Sequence, residues 1–224
     1  MNSWGWIFGI ALGLAILDWI AVARDNKRRE YIFKPATLVV IWIGAALLAY
    51  QGTTNPRLAR YFLIALIFSL AGDILLLLPK ETFFLPGLIA FFLAHVSYIL
   101  GLTPTLPPAS ALSLLIVIAP VSVLFYRRIA AGLRAKQQEE MRLPTAAYTL
   151  ILSLMLWSAW ATLFRPGWTP TAQSLVIVGA TLFFASDAML AWDRFVASSS
   201  ILNIAIIVTY HLAQIALAAV IGVR

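Results

Sequence analysis

Eight apolar runs, each close to the length that crosses a bilayer, dominate this sequence of 224 residues. A helix needs roughly 20 apolar residues to cross about 30 Å of hydrocarbon. The runs read as helices over about Trp4–Ala23, Pro35–Tyr50, Leu58–Leu78, Phe83–Leu102, Ala109–Tyr126, Pro144–Phe164, Thr171–Trp192 and Ile201–Val223. Between them lie stretches rich in charge, Pro and Gly, such as Gln51-Gly52-Thr53-Thr54-Asn55-Pro56 and Arg165-Pro166-Gly167-Trp168-Thr169-Pro170. The chain is 62% hydrophobic and 11% charged, and a soluble domain of this size could not hide that much apolar surface. The fold class is therefore all-α: one polytopic membrane domain over residues 1–224, a bundle of eight transmembrane helices.

A net charge of +7 raises the question of nucleic acid. The basic residues instead sit in short loops between spans, as membrane topology requires, so no nucleic-acid partner is expected. Loops after odd-numbered spans hold twelve: Arg24, Lys27, Arg28, Arg29, Lys34, Lys80, Arg127, Arg128, Arg134, Lys136, Arg142 and Arg194. The other side holds four, Arg57, Arg60, Arg165 and Arg224. This bias predicts a multi-pass protein of the cell (inner) membrane, with odd loops in the cytoplasm and both termini outside. The first run has no basic segment before it and more spans follow, so it reads as a retained helix and not a cleaved signal. The absence of cysteine excludes disulfides, thiolate chemistry and zinc–sulfur sites.

Gly5, Gly9 and Gly13 recur every four residues, a smooth face suited to close helix packing or to a homodimer seam. Asp18, near the far end of the same run, is expected to snorkel or to pair with Arg24. Pro35 and Pro86 suit first helical turns, and Pro120 predicts a kink. Leu70-Ala71-Gly72-Asp73 resembles Phe184-Ala185-Ser186-Asp187 at an offset of 114 residues. A shift of four spans preserves direction, which suggests two parallel four-helix halves, 1–108 and 109–224.

Those two stretches each place one carboxylate in an apolar run, at a cost of roughly 2.5–3.5 kcal/mol if ionised. Each Asp is followed by one of the two histidines, His95 after 22 residues and His211 after 24. If the helices end near Pro79 and Asp193, both carboxylates lie roughly 9 Å inside the cytoplasmic end. The hairpins would bring Asp73 to His95 and Asp187 to His211 around a polar cavity. Tyr98 lies three residues from His95, and Tyr210, His211 and Gln214 share one broad face of the last span. Interhelical hydrogen-bond glue is the bland reading of such groups. A two-His, two-Asp metal site and a bis-His haem are alternatives, although no H-x-x-x-H or H-E-x-x-H pattern is present. Acid–base work by two carboxylates, one protonated and one ionised, needs no cofactor.

The chain also resembles the YhhN family of eight-span membrane proteins, whose characterised members are lysoplasmalogenases. The matching stretches are Tyr31-Ile32-Phe33-Lys34-Pro35, Ser69-Leu70-Ala71-Gly72-Asp73, Phe91-Phe92-Leu93-Ala94-His95-Val96-Ser97-Tyr98, Gly179 through Asp187, and Tyr210-His211-Leu212-Ala213-Gln214, with Tyr148 also fitting. The resemblance implies hydrolysis of the vinyl ether of a lysoplasmalogen drawn from the bilayer, giving a fatty aldehyde and glycerophosphoethanolamine or glycerophosphocholine. It implies Asp73, Asp187 and His95 as the catalytic group. It further implies that Lys34, Tyr98, Tyr148, Tyr210, His211 and Gln214 hold the lysophospholipid, with no metal and no cofactor. The alternative from another class is a proton-coupled lipid or small-molecule transporter, which midplane acids would equally suit.

Overall fold

The structure is a computed structural model that describes residues 5–223 apart from the side chain of Lys80. Trp4, where the first span was expected to begin, and Arg224 lie outside the described residues. The described residues form eight long α-helices and no strand. These are α1 (Gly5–Ala23), α2 (Lys27–Tyr50), α3 (Pro56–Leu77), α4 (Lys80–Leu102), α5 (Leu115–Ala135), α6 (Arg142–Trp160), α7 (Pro170–Phe195) and α8 (Ser200–Ala219). All eight are long and apolar enough to cross a membrane. Exposed Ile16, Ile67, Ile89, Val117, Leu150 and Val178 ring the bundle as a lipid-facing surface would require. The protein is a multi-pass membrane protein.

Helix ends follow local chemistry. Asn26 accepts from the Arg29 amide and so starts α2 at Lys27, eight residues before the expected start at Pro35. Pro35 therefore stands inside the helix and not in its first turn, and Pro86 is likewise interior to α4, which starts at Lys80. The second span is 24 residues long and not the short one expected. Asn55 caps α3 ahead of Pro56, and Thr169 caps α7 ahead of Pro170. Residues 109–114 form a 3₁₀ segment before α5, which continues past Tyr126 to Ala135 as a basic extension.

Each core-facing stripe repeats every three or four residues. In α3 it runs Leu58, Phe62, Ala65, Leu66, Ser69, Gly72, Asp73; in α8 it runs Ile207, Tyr210, His211, Gln214, Leu217. In α1 it runs Ile7, Ala11, Ala15, Asp18, which carries Asp18 inward. Asp18 is fully buried, neither snorkels nor meets Arg24, and among the described residues neither of its oxygens has a hydrogen-bond partner. Gly5, Gly9 and Gly13 lie away from the core, with no heavy atom within 4 Å of where a Cβ would stand. That face is not used for packing inside the bundle.

The hairpin partners α1/α2, α3/α4 and α7/α8 pack on each other, and α8 also meets α1, α2 and α3. The main core joins α1, α2, α3, α4, α6, α7 and α8. A separate small cluster of Phe84, Ile129, Leu133 and Phe195 ties α4, α5 and α7 near the ends that carry the basic loops.

Candidate active site

Asp73 and Asp187 line one cleft of about 390 Å³ that also reaches Val22, Asp25, Lys27 and Glu30, and Leu78, Pro79 and Asn203. It therefore opens at the end of the bundle that carries the α1–α2, α3–α4 and α7–α8 turns. With the observed helix ends, Asp73 is four residues from the end of α3 and Asp187 eight from the end of α7. Those counts correspond to depths of about 6 and 12 Å.

Asp73 reaches its place because Gly72 lets α4 approach: a Cβ on Gly72 would stand 2.6 Å from the Phe91 ring. Tyr210 Oη donates to Asp73 Oδ2 at 2.8 Å, and Lys34 Nζ lies 3.3 Å from Oδ1. The Lys34 contact is an ion pair without the alignment of a hydrogen bond, since Oδ1 has no hydrogen-bonding donor. Lys34 is 14% exposed and also faces the Tyr210 ring, 5.8 Å from its centroid. It thus stands between the buried carboxylate and the open cleft.

Asp187 has a different set. His95 Nε2 lies 3.0 Å from Asp187 Oδ2, and Tyr148 Oη donates to the same oxygen at 2.5 Å. Tyr148 also comes within 3.2 Å of His95 Nε2, so the three groups form one cluster from α4, α6 and α7. Phe183 underlies it, edge-on to His95, Tyr98, Tyr210 and Phe91.

The expected pairing of each Asp with the His of its own hairpin is not what forms. His95 bonds Asp187 across the two halves of the chain. Asp73 meets no histidine; Lys34 of α2 and Tyr210 of α8 take that place. His211 Nδ1 accepts from Trp19 Nε1 at 3.1 Å, and its fully buried ring has no contact with either carboxylate. The physical reason is neighbour choice: α8 packs against α1 and α2 as well as α7, so its polar face is divided between them. The two histidines thus have separate partners, and among the described residues no three His, Asp or Glu side chains gather as a ligand set. Tyr98 Oη donates to Gln214 Oε1 at 2.7 Å, and both are fully buried behind the cleft. Neither Tyr98, Gln214 nor His211 lines the cleft.

Several cleft residues were not singled out from the sequence. Tyr31, whose hydroxyl donates to the Leu77 carbonyl, Glu30, Asp193 and Asn203 all line it. Tyr31 sits three residues before Lys34, and Asn203 is a lone amide in the first turn of an apolar span; both were available signals.

Residues 29–221 match the YhhN family. The chain belongs to that family. Among curated proteins, Lysoplasmalogenase TMEM86B of Mus musculus is 32% identical over 220 residues, 97% of this chain and 85% of the mouse protein. Lysoplasmalogenase TMEM86B of Homo sapiens is 37% identical over 153 residues, 67% of this chain and 58% of the human protein. A Lysoplasmalogenase of Mycobacterium tuberculosis is 30% identical over 186 residues, 78% of this chain and 66% of its own length. No solved structure matches. The matched YhhN region contains Lys34, Asp73, His95, Tyr148, Asp187 and Tyr210, every residue of the two carboxylate clusters.

Proposed function

We propose that this YhhN protein is a lysoplasmalogenase that hydrolyses the vinyl-ether bond of a 1-alkenyl lysophospholipid by acid–base catalysis with its two buried carboxylates. The observation that carries the reading is the shared cleft. Asp73 and Asp187 face one space, each held by a tyrosine and a nitrogen base, but by different bases. Relatives that bear the name lysoplasmalogenase over most of the chain support it.

We assign the roles from the partners. Lys34 Nζ stands 3.3 Å from Asp73, so Asp73 is assigned as the anion. Asp187, His95 and Tyr148 stand within hydrogen-bonding distance of one another, so that cluster is assigned as the proton donor. The donor protonates the outer vinyl carbon, and the electron pair of the double bond forms the new C–H bond. The positive charge develops on the carbon that bears the ether oxygen, where the Asp73 carboxylate stabilises it. Water adds to that carbon and returns a proton to the Asp187 cluster. The hemiacetal hydroxyl then gives up its proton as the C–O bond to glycerol breaks; the glycerol oxygen takes up a proton and leaves as the alcohol, and the other fragment is the aldehyde. The logic is that of paired carboxylates meeting an oxocarbenium-like state. Lys34, exposed on one side to the cleft, meets the lipid phosphate.

The deciding experiment measures aldehyde release by purified protein in nanodiscs. A 1-alkenyl lysolipid and its saturated 1-alkyl analogue run in parallel, with a chelator present. Aldehyde should come from the alkenyl lipid alone. Asp73→Asn and Asp187→Asn should each lower turnover by on the order of 10²–10⁴. Folded Asn variants with near-normal turnover would sink the assignment. A folded wild type that releases no aldehyde, but carries lipid across vesicles unchanged, would favour the transporter.

A further inference from the structure

Beside Asp187 lies a second space, which Lys34 does not line. It is an apolar slot bounded by Phe84 of α4, Phe125 and Ile129 of α5 and Ala191 of α7, and it closes on Asp187 and Tyr148. The slot and the polar cleft share Asp187, along with Leu76, Phe91 and Leu190, so the carboxylate stands at their junction. One end of the composite space is lined by charged side chains; the other is apolar.

The wall on the bilayer side is α5, the least enclosed span. Only 11% of its membrane-crossing window is buried, against 28–50% for the others. Two apolar grooves of about 270 and 320 Å³ flank it, against α6 and against α6 and α7. Its polar ties run to the α6 and α7 side: Ser153 Oγ donates to Ser122 Oγ at 2.7 Å, Tyr126 Oη to the Arg142 carbonyl at 3.1 Å, and Lys136 Nζ, just beyond its end, to the Arg194 carbonyl at 2.9 Å. Among the described residues no hydrogen bond joins α5 to α4. That seam is closed by side chains alone, Phe84 against the Ile129 cluster.

We propose that the slot is the subsite for the single hydrocarbon chain of the lipid, and that the chain enters sideways from the bilayer through the α4–α5 seam. The proposal rests on the lipid-hydrolase reading. An amphiphile with its phosphate at Lys34 and its chain in the slot must lay the bond joining the two parts against Asp187. In the structure the slot holds about 30 Å³, room for two or three water-sized groups at about 10–15 Å³ each. A chain therefore requires Phe84 and Phe125 to turn aside and α5 to move outward. The span with the fewest buried contacts is the one that yields at least cost.

The test uses a 1-alkyl lysophospholipid with a diazirine at the end of its chain, which carries no vinyl ether to cleave. It is photolysed with the full-length protein in nanodiscs, and adducts are mapped by mass spectrometry. Adducts should fall on the α4 and α5 peptides that hold Phe84, Phe125 and Ile129. Ala191→Phe, which fills the slot, should reduce them severalfold and raise KM for a long-chain alkenyl lysolipid. Ile129→Ala, which widens it, should increase them and guards against a misfolded Phe variant. Adducts confined to the α1–α8 side, or indifferent to both substitutions, would overturn the proposal. A wild type that labels in the slot but releases no aldehyde would support the chain subsite and reject the hydrolase reading.

Discussion

At the scale of single residues, two tyrosines of the same family stretch pattern have different surroundings. Tyr148 donates to Asp187, and one face of it meets the apolar slot. Tyr98 donates to Gln214, fully buried behind the cleft, with its ring edge-on to Phe62. Tyr148→Phe should therefore lower kcat by roughly 10²-fold, the loss of one positioned proton-transfer partner, with little change in KM. Tyr98→Phe leaves Gln214 Oε1 buried without its donor, which should cost about 1–3 kcal/mol of stability. Steady-state kinetics and thermal melts of both variants separate the two roles; a Tyr98→Phe enzyme that keeps its stability but loses kcat would return Tyr98 to the reacting centre. The interior placement of Asp73, Asp187, His95 and Gln214 was legible, because the three-and-four spacing of the stripes fixes which way each side chain points. The partner of each was not. Spacing within α4 cannot say that His95 reaches α7 and not α3, and nothing in α8 foretells that Trp19 of α1 takes His211.

At the scale of elements, the junction of α5 with α7 sets how the slot wall is anchored. Gly132 of α5 lies against the last turn of α7: a Cβ there would stand 2.2 Å from the Phe195 carbonyl oxygen and 3.0 Å from its carbon. Backbone cannot turn aside as a side chain can. Gly132→Ala should force the two helices apart and cost about 1–3 kcal/mol. That is a fall in melting temperature of about 2–4 °C for each kcal/mol in a chain of this size. Gly9→Ala is the matched control, because nothing stands within 4 Å and alanine is the better helix former. An equal response of the two variants in a thermal melt would mean that the α5–α7 contact carries no stability. The eight runs and the hairpin turns are legible in the sequence, since length and apolarity decide a span. Pro35 looks like a first-turn proline, but the Asn26 cap nine residues upstream governs the start of the second helix. The nearness of Arg24 suggests a surface position for Asp18, but the α1 stripe carries it inward.

At the scale of the whole molecule, the charge on the loops and the direction of the cleft are one question. The cleft opens where Asp25, Lys27 and Pro79 lie, the end that receives the basic loops after odd-numbered spans. If the positive-inside rule holds for this chain, that end is cytoplasmic and both termini are outside. The lipid would then come from the cytoplasmic leaflet, with its headgroup at Lys34 and Tyr31 and its chain running inward to the slot. A fluorescent protein that matures only in the cytoplasm should stay dark when fused after Arg224. The same reporter inserted between α5 and α6, at residues 136–138, should light up. The reverse pattern would place the cleft on the outer face, and substrate would have to be supplied from the other leaflet. The twelve-to-four distribution of Lys and Arg makes the first outcome the expected one. On that outcome the +7 charge would orient the bundle, and in doing so it would aim the two carboxylates at one side of the membrane.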